Sequence, residues 1–124
     1  MAVETVLLYN CSDPQWAKLR QMLVMLRIRV RMVTPEQYGL ALEAVASGKT
    51  QGLQAPQIQE EFSDPMLVFC HLPDSKLEQV LITMRRAGLP PISLKAVLTP
   101  TNREWNSQQL WTELRREHEA MSKQ

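Results

Sequence analysis

Two continuous runs of apolar residues predict two strands that are buried on both faces. The first run is Thr5–Tyr9 and the second is Pro65–Leu72, and uninterrupted apolar runs of this length are typical of central strands. Two other segments, Arg27–Val33 and the first half of Ile92–Thr99, alternate between apolar and polar side chains. Period-two alternation predicts strands with one buried face and one solvent-facing face.

A helical pattern follows each of the four predicted strands. Its apolar residues recur at the three- and four-residue spacing of a helix that packs one face on a sheet. The second helix has its predicted buried stripe at Tyr38, Ala41, Leu42 and Val45. Capping residues predict the helix starts at Asp13-Pro14, Thr34 with Gln37, Ser75 with Glu78, and Asn106 with Gln109.

Four strand–helix pairs in succession predict an α/β fold with three layers. The all-apolar strands, one and three, belong in the centre of the sheet, and the half-polar strands, two and four, belong at its edges. Right-handed crossovers then favour the order 2-1-3-4 in a mainly, and on the simplest reading entirely, parallel sheet. This is a shortened flavodoxin-like arrangement with helices on both faces.

The length of 124 residues corresponds to about one domain, so we expect residues 1–124 to form a single unit. Residues 49–62 interrupt the strand–helix pattern. This segment collects Gln51, Gln54, Gln57 and Gln59 around Gly52 and Pro56. Such a composition predicts a flexible surface loop.

The carboxyl ends of strands one and three mark the predicted site, because ligands of open parallel sheets bind where the winding reverses. Cys70 and Asp74 would lie there, with Thr34 at its border. The candidate ligand-binding residues are Asn10, Cys11, Ser12, Asp13, His71, Thr99, Thr101 and Asn102.

Cys11 and His71 are the two weak catalytic candidates. Cys11 precedes a predicted helix start, where the helix dipole could lower its pKa, and His71 could then act as a base. The competing interpretation, which we favour, is that Cys11 is a small buried residue. A Cys11–Cys70 disulfide requires adjacent strand ends, and a reducing compartment disfavours it. Two histidines without a Cys/His spacing motif predict no metal site, and no cofactor motif is present.

Arg27, Arg29 and Arg31 form a predicted basic row on the second strand and are candidate residues for a partner surface. The competing interpretation is that their charge protects a sheet edge from pairing. Basic and acidic residues number 14 and 13, for a net charge of +1, which argues against a nucleic-acid binder. Neither a membrane-spanning run nor a signal peptide is recognised, so a cytoplasmic location is expected.

The second half of the chain resembles a known family. The resemblance covers mainly residues 66–121. It rests on the Met-Leu-Val-Phe strand, the Leu77–Gly88 helix and the Lys95–Asn102 strand and turn, followed by Trp105 and a helix with Leu110, Leu114 and Glu117. The family is a bacterial domain of unknown function, DUF3783. This resemblance implies a soluble bacterial protein and no established activity or catalytic residues.

These observations favour a non-enzymatic regulatory module that binds a partner protein or a small anionic ligand, with a homodimer as a further option. The alternative is a cysteine-dependent enzyme or phosphocarrier that uses Cys11 at the carboxyl-end crevice. The chain lacks the Gly- and Ser/Thr-rich loop that a phosphocarrier has after its cysteine. Whether the protein is an enzyme stays open at this point, with the balance against catalysis.

Overall fold

Four strands form one sheet in the computed structural model, which describes residues 3–50 and 62–122. The strands are β1 (Thr5–Tyr9), β2 (Arg29–Val33), β3 (Met66–Cys70) and β4 (Leu94–Val97). The helices are α1 (Ala17–Met25), α2 (Leu42–Ser47), α3 (Asp74–Arg86) and α4 (Ser107–Ser122), and short 3-10 turns cover Pro14–Trp16 and Pro35–Gln37.

The strand order is β2-β1-β3-β4, which confirms the predicted order and the α/β class. The sheet is mixed, however, because β1 pairs with β3 in the antiparallel direction while the two outer pairs are parallel. The flavodoxin-like expectation of an entirely parallel sheet is therefore wrong at the central pair. The physical reason is that β3 begins where β1 ends. Tyr9 lies opposite Met66, and the Asn10 side-chain amide donates to the carbonyls of Phe62 and Asp64, each at 3.0 Å.

Two apolar layers cover the two faces of the sheet. Alternate residues of β1 and β3 point to opposite faces of the sheet. Because helices cover both faces, every residue of these two strands is buried. On one face Val6 and Phe69 pack against α1 and α3. On the other face Leu7 and Val68 pack against α2 and α4. Helices therefore lie on both faces, as predicted.

The two halves of the chain are related by an approximate two-fold axis between Leu7 and Val68. Each half has a central strand, a helix, a parallel edge strand and a second helix. Backbone conformations repeat as well. Asn10 and His71 have positive φ after the central strands, and Arg27 and Gly88 have positive φ after the first helices, each pair 61 positions apart. An antiparallel bridge between Ala41 and Asn106 joins the starts of the second helices of the two halves.

The second helix is shorter than predicted. The predicted stripe began at Tyr38, whereas α2 begins at Leu42 after a separate 3-10 turn. Ala41 is extended because the chain there bridges to the start of α4. The Leu42 amide donates to the Trp105 carbonyl at 2.8 Å. Tertiary hydrogen bonds at the two-fold axis therefore override the local helical pattern.

Helix capping follows the prediction at one end and departs from it at another. Asn106 and Gln109 form the reciprocal capping box, with both bonds at 2.8 Å, and α4 starts immediately after it. The Ser75–Glu78 box is wrong, because α3 already begins at Asp74 behind Pro73. In addition, β2 begins at Arg29 and not at Arg27.

The predicted loop at 49–62 lies outside the described residues, except for its first two positions and its last. That last residue, Phe62, is buried in the core beside Tyr9 and Tyr38. Within the described ranges, none of the helices has the length and apolar character needed to cross a bilayer.

We expect the Leu7→Ala variant to lose about 2–5 kcal/mol of unfolding free energy, because a fully buried leucine leaves a cavity beside the two-fold axis. Urea denaturation measures the loss. The control is Met25→Ala, which truncates a side chain that is 83% exposed and is expected to change stability by less than about 0.5 kcal/mol. Equal losses in both variants would show that the Leu7 side chain contributes no more to stability than an exposed one.

Candidate functional site

The single crevice predicted at the carboxyl ends of β1 and β3 is wrong, since the antiparallel pairing places these carboxyl ends at opposite ends of the sheet. The residues following β1, among them Cys11 and Asp13, lie at the end where β3 begins. His71 follows β3 at the other end, as do Thr99, Thr101 and Asn102 after β4. The structure therefore does not bring Cys11 and His71 together.

Cys11 is completely buried, and its thiol donates to the Tyr9 carbonyl at 3.3 Å. Burial raises the pKa of this thiol to about 11. A 3-10 turn separates Cys11 from α1, which begins at Ala17, so the predicted influence of the helix start is missing. A raised pKa is the opposite of what a cysteine nucleophile needs.

Cys70 is also buried, and burial raises the pKa of its thiol to about 12. It packs in the core beside α2 and α4, whereas Cys11 packs in the core beside α1 and α3. Both cysteines are free. The condition for a Cys11–Cys70 disulfide, adjacent strand ends, is not met, because the two residues lie at opposite ends and on opposite faces of the sheet.

Two of the predicted binding residues hold turns together. The Asn10 amide is bonded to the segment entering β3, as described above. Asn102 is buried and closes the turn after β4, where its Oδ1 accepts from the Thr99 amide at 2.8 Å and its Nδ2 donates to the Val97 carbonyl at 3.0 Å. Ser12, Asp13 and Thr101 are exposed, and Asp13 makes no side-chain capping bond to the turn it precedes.

The three arginines of the predicted basic row have different surroundings. Arg27 lies before β2 in a left-handed conformation with φ of 62°. Arg29 is exposed on β2. Arg31 folds over the end of α2, where its guanidinium donates to the carbonyls of Ala46 and Ser47 at 3.1 and 3.4 Å. Arg31 therefore has a structural contact that caps a helix, and the row is not one continuous surface.

A cleft of about 400 Å³ lies between the start of β4 and the last turns of α4. We call it the α4-side cleft. Its floor is mainly apolar and its rim is charged. The lining residues are Asp64, Pro65, Pro91, Ile92, Ser93, Leu94, Arg115, His118 and Glu119.

The charged rim of this cleft is internally paired. The Asp64 carboxylate accepts from Trp111 Nε1 at 2.9 Å and from Arg115 at 3.4 Å. Arg115 also bonds Glu119 at 3.1 Å and lies 5.4 Å from the centre of the Trp111 ring. This cluster was not among the predicted sites, although the four-residue spacing of Trp111, Arg115 and Glu119 on one helix is visible in the sequence.

The opposite face of β4 carries a second depression, of about 300 Å³. We call it the α3-side groove. It shares Pro91 and Ile92 with the α4-side cleft and is otherwise lined by Leu81, Met84, Arg85, Leu89, Pro90 and Lys95. Apolar and cationic side chains thus line this groove, and no carboxylate does.

The outer edge of β4 runs between these two surfaces. The Leu98 amide donates to the Phe69 carbonyl at 2.9 Å, so alternation along a parallel ladder turns the backbone groups of Leu94, Ala96 and Leu98 towards β3. The amides of Lys95 and Val97 then point outwards. The Val97 carbonyl also points outwards, but it already accepts a hydrogen bond from the Asn102 side-chain amide. Three backbone groups of Lys95 and Val97 are left at an edge that no described strand covers.

A metal centre is not formed by the part of the chain that the structure describes. Among those residues, histidine, cysteine, aspartate and glutamate side chains do not assemble in groups of three or more that could hold an ion.

Comparison with protein families gives a match over the second half of the chain. Residues 65–121 match the family described as "Domain of unknown function (DUF3783)", which confirms the resemblance over this part of the chain. The matched segment contains β3, α3, β4 and most of α4, and therefore nearly all residues of the α4-side cleft and the α3-side groove. Neither the curated proteins nor the solved structures contain a match to the chain.

We expect neither cysteine of the native protein to react with an alkylating agent between about pH 5 and pH 9, because both thiols are buried and have raised pKa values. Mass spectrometry after timed alkylation measures each thiol separately. In denaturant both should react, which serves as the control. Rapid alkylation of native Cys11 at or below neutral pH would contradict this prediction and revive the enzyme hypothesis.

We expect Asp64→Ala to lower the unfolding free energy by about 1–2 kcal/mol, because Trp111 Nε1 loses its acceptor. Asp64→Asn should cost less, since its amide oxygen can still accept from Trp111, and the half-exposed ion pair with Arg115 adds little. Tryptophan fluorescence during urea unfolding measures both variants. Equal losses would mean that the charge, and not the hydrogen bond, holds the cluster.

Proposed function

We propose that this protein is a non-enzymatic module that binds a partner protein by strand addition at β4. An extended segment of the partner would pair with the outer edge of β4 and become a fifth strand. Its side chains would enter the α4-side cleft and the α3-side groove alternately. Strand addition of this kind uses backbone hydrogen bonds for affinity and flanking pockets for specificity.

The observation that carries this proposal is the position of the two cavities on opposite faces of one edge strand. Side chains of an extended chain alternate between faces, so a single added strand reaches both cavities. Pro91 and Ile92 line both of them, which makes the two surfaces continuous around the start of β4. The exposed side chain of Val97, with 44% of its surface accessible, extends this apolar surface along the strand.

The backbone chemistry of the edge supports the same function. Lys95 offers an outward amide and carbonyl, and Val97 offers an outward amide. Three hydrogen bonds to an extended segment are therefore available. β4 is short and Asn102 closes its far end, so the edge accepts a short segment and resists open-ended pairing between sheets.

A cysteine-dependent activity has less support. Its proposed nucleophile is buried with a raised pKa, and its proposed base lies at the other end of the sheet. A small anionic ligand in the α4-side cleft is also disfavoured, because Arg115 already pairs with Asp64 and Glu119. We further propose that the module acts in the cytoplasm of a bacterium, the setting that the sequence and its family resemblance suggest.

We expect a short peptide of alternating valine and threonine to bind the full-length protein at β4. Nuclear magnetic resonance titration should shift the Lys95 and Val97 amides saturably and slow the hydrogen exchange of the Lys95 amide. Val97→Pro should abolish binding, because proline removes the outward amide while leaving the bonds to β3 intact. Val97→Thr, which keeps that amide, should bind like the parent.

A peptide-side control removes any concern about folding of the proline variant. The same peptide with every backbone amide N-methylated cannot donate to an edge strand in any register and should not bind the unaltered protein. Undiminished binding of the methylated peptide, or the absence of any shift at β4, would overturn strand addition.

A further inference from the structure

We infer that the partner segment is acidic on the side that faces α3. This inference rests on the proposed strand addition at β4 and adds the chemistry of the partner. The α3-side groove would select glutamate or aspartate side chains next to apolar ones, whereas the α4-side cleft would accept uncharged residues.

The charges that line the α3-side groove are of one sign. Arg85 and Lys95 line it, and neither has a carboxylate partner among the ion pairs of the described residues. Lys95 donates instead to the carbonyl of Ile92. Arg86 is exposed one residue further along α3, and Lys18 reaches the Ala87 carbonyl at 3.2 Å. Two cations therefore line the groove itself, and Arg86 and Lys18 add positive charge near the end of α3.

The α4-side cleft has a different charge pattern. Its cation Arg115 is bonded to Asp64 and Glu119, so positive and negative charges there already compensate each other. A charged side chain entering this cleft would face both signs at once. The charge selection of the partner therefore comes from the α3 side alone.

The register of β4 directs partner side chains to these cations. Lys95 lies beside Leu67, whose side chain packs in the core under α1 and α3, so the Lys95 side chain emerges on the α3 side. A partner residue directly opposite Lys95 shares that face, and opposite charges across paired strands attract. An acidic residue at that position would lie between Lys95 and the end of α3.

Three peptides of equal length test the charge of the partner against the full-length protein. They alternate valine with glutamate, threonine or lysine, and binding is followed at the Lys95 and Val97 amides. We expect the glutamate peptide to bind on the order of fivefold more tightly than the threonine peptide, and the lysine peptide to bind more weakly than both. Added salt should reduce these differences.

Charge reversal on the protein supplies the matched comparison. The double variant Arg85→Glu with Lys95→Glu should reverse the order and favour the lysine peptide. Arg29→Glu, which changes an exposed arginine on the opposite edge strand, should leave the order unchanged. The parent and both variants have the same backbone groups at β4, so they differ only in side-chain charge.

The outcomes separate this inference from the proposed function. If all three peptides bind equally and Val97→Pro abolishes each, strand addition stands and the acidic partner is wrong. If none binds, strand addition itself fails. If the glutamate peptide binds without slowing exchange of the Lys95 amide, or a single-stranded DNA oligonucleotide competes with it, the cations bind anions in general and the inference is overturned.

Discussion

The antiparallel pairing of β1 with β3 is the constraint on which the rest of the structure depends. It joins the two halves of the chain along their most buried strands, and Leu7 and Val68 meet at its centre. The Asn10 amide reinforces it by bonding the segment that enters β3. Because the pairing is antiparallel, the carboxyl ends of β1 and β3 lie at opposite ends of the sheet, so the residues that follow the two strands lie far apart.

The sequence predicted the strand order and the layers, because these follow from the burial of each element. Apolar runs identified the central strands, and alternation identified the edges. Direction is different, since a strand buried on both faces has the same pattern whichever way it runs. The direction of β3 depends on contacts such as Asn10 with Asp64, which join residues distant in the chain and have no local signature.

The candidate site was predicted less well than the fold, for a related reason. Its predicted members, including Cys11 and His71, were collected by assuming parallel strands, and the antiparallel pair separated them. The helix break at Ala41 was missed because it results from a bridge to Asn106. The Asn106–Gln109 cap was predicted correctly because both partners lie within one turn. The local pattern was thus sufficient for this cap, although not for the start of α3, whereas bonds across the two-fold axis have no local pattern at all.

The proposed binding edge arises where the two halves depart from their approximate symmetry. Between α1 and β2 the chain has only residues 26–28, whereas residues 87–93 connect α3 to β4. The longer connection carries Pro90, Pro91 and Ile92, which line the α3-side groove. Likewise α2 ends at Ser47 under the Arg31 cap, while α4 continues far enough to bring Arg115 to the α4-side cleft. Burial of the central strands stabilises the sheet in both halves, and these two extensions give the β4 edge its flanking cleft and groove.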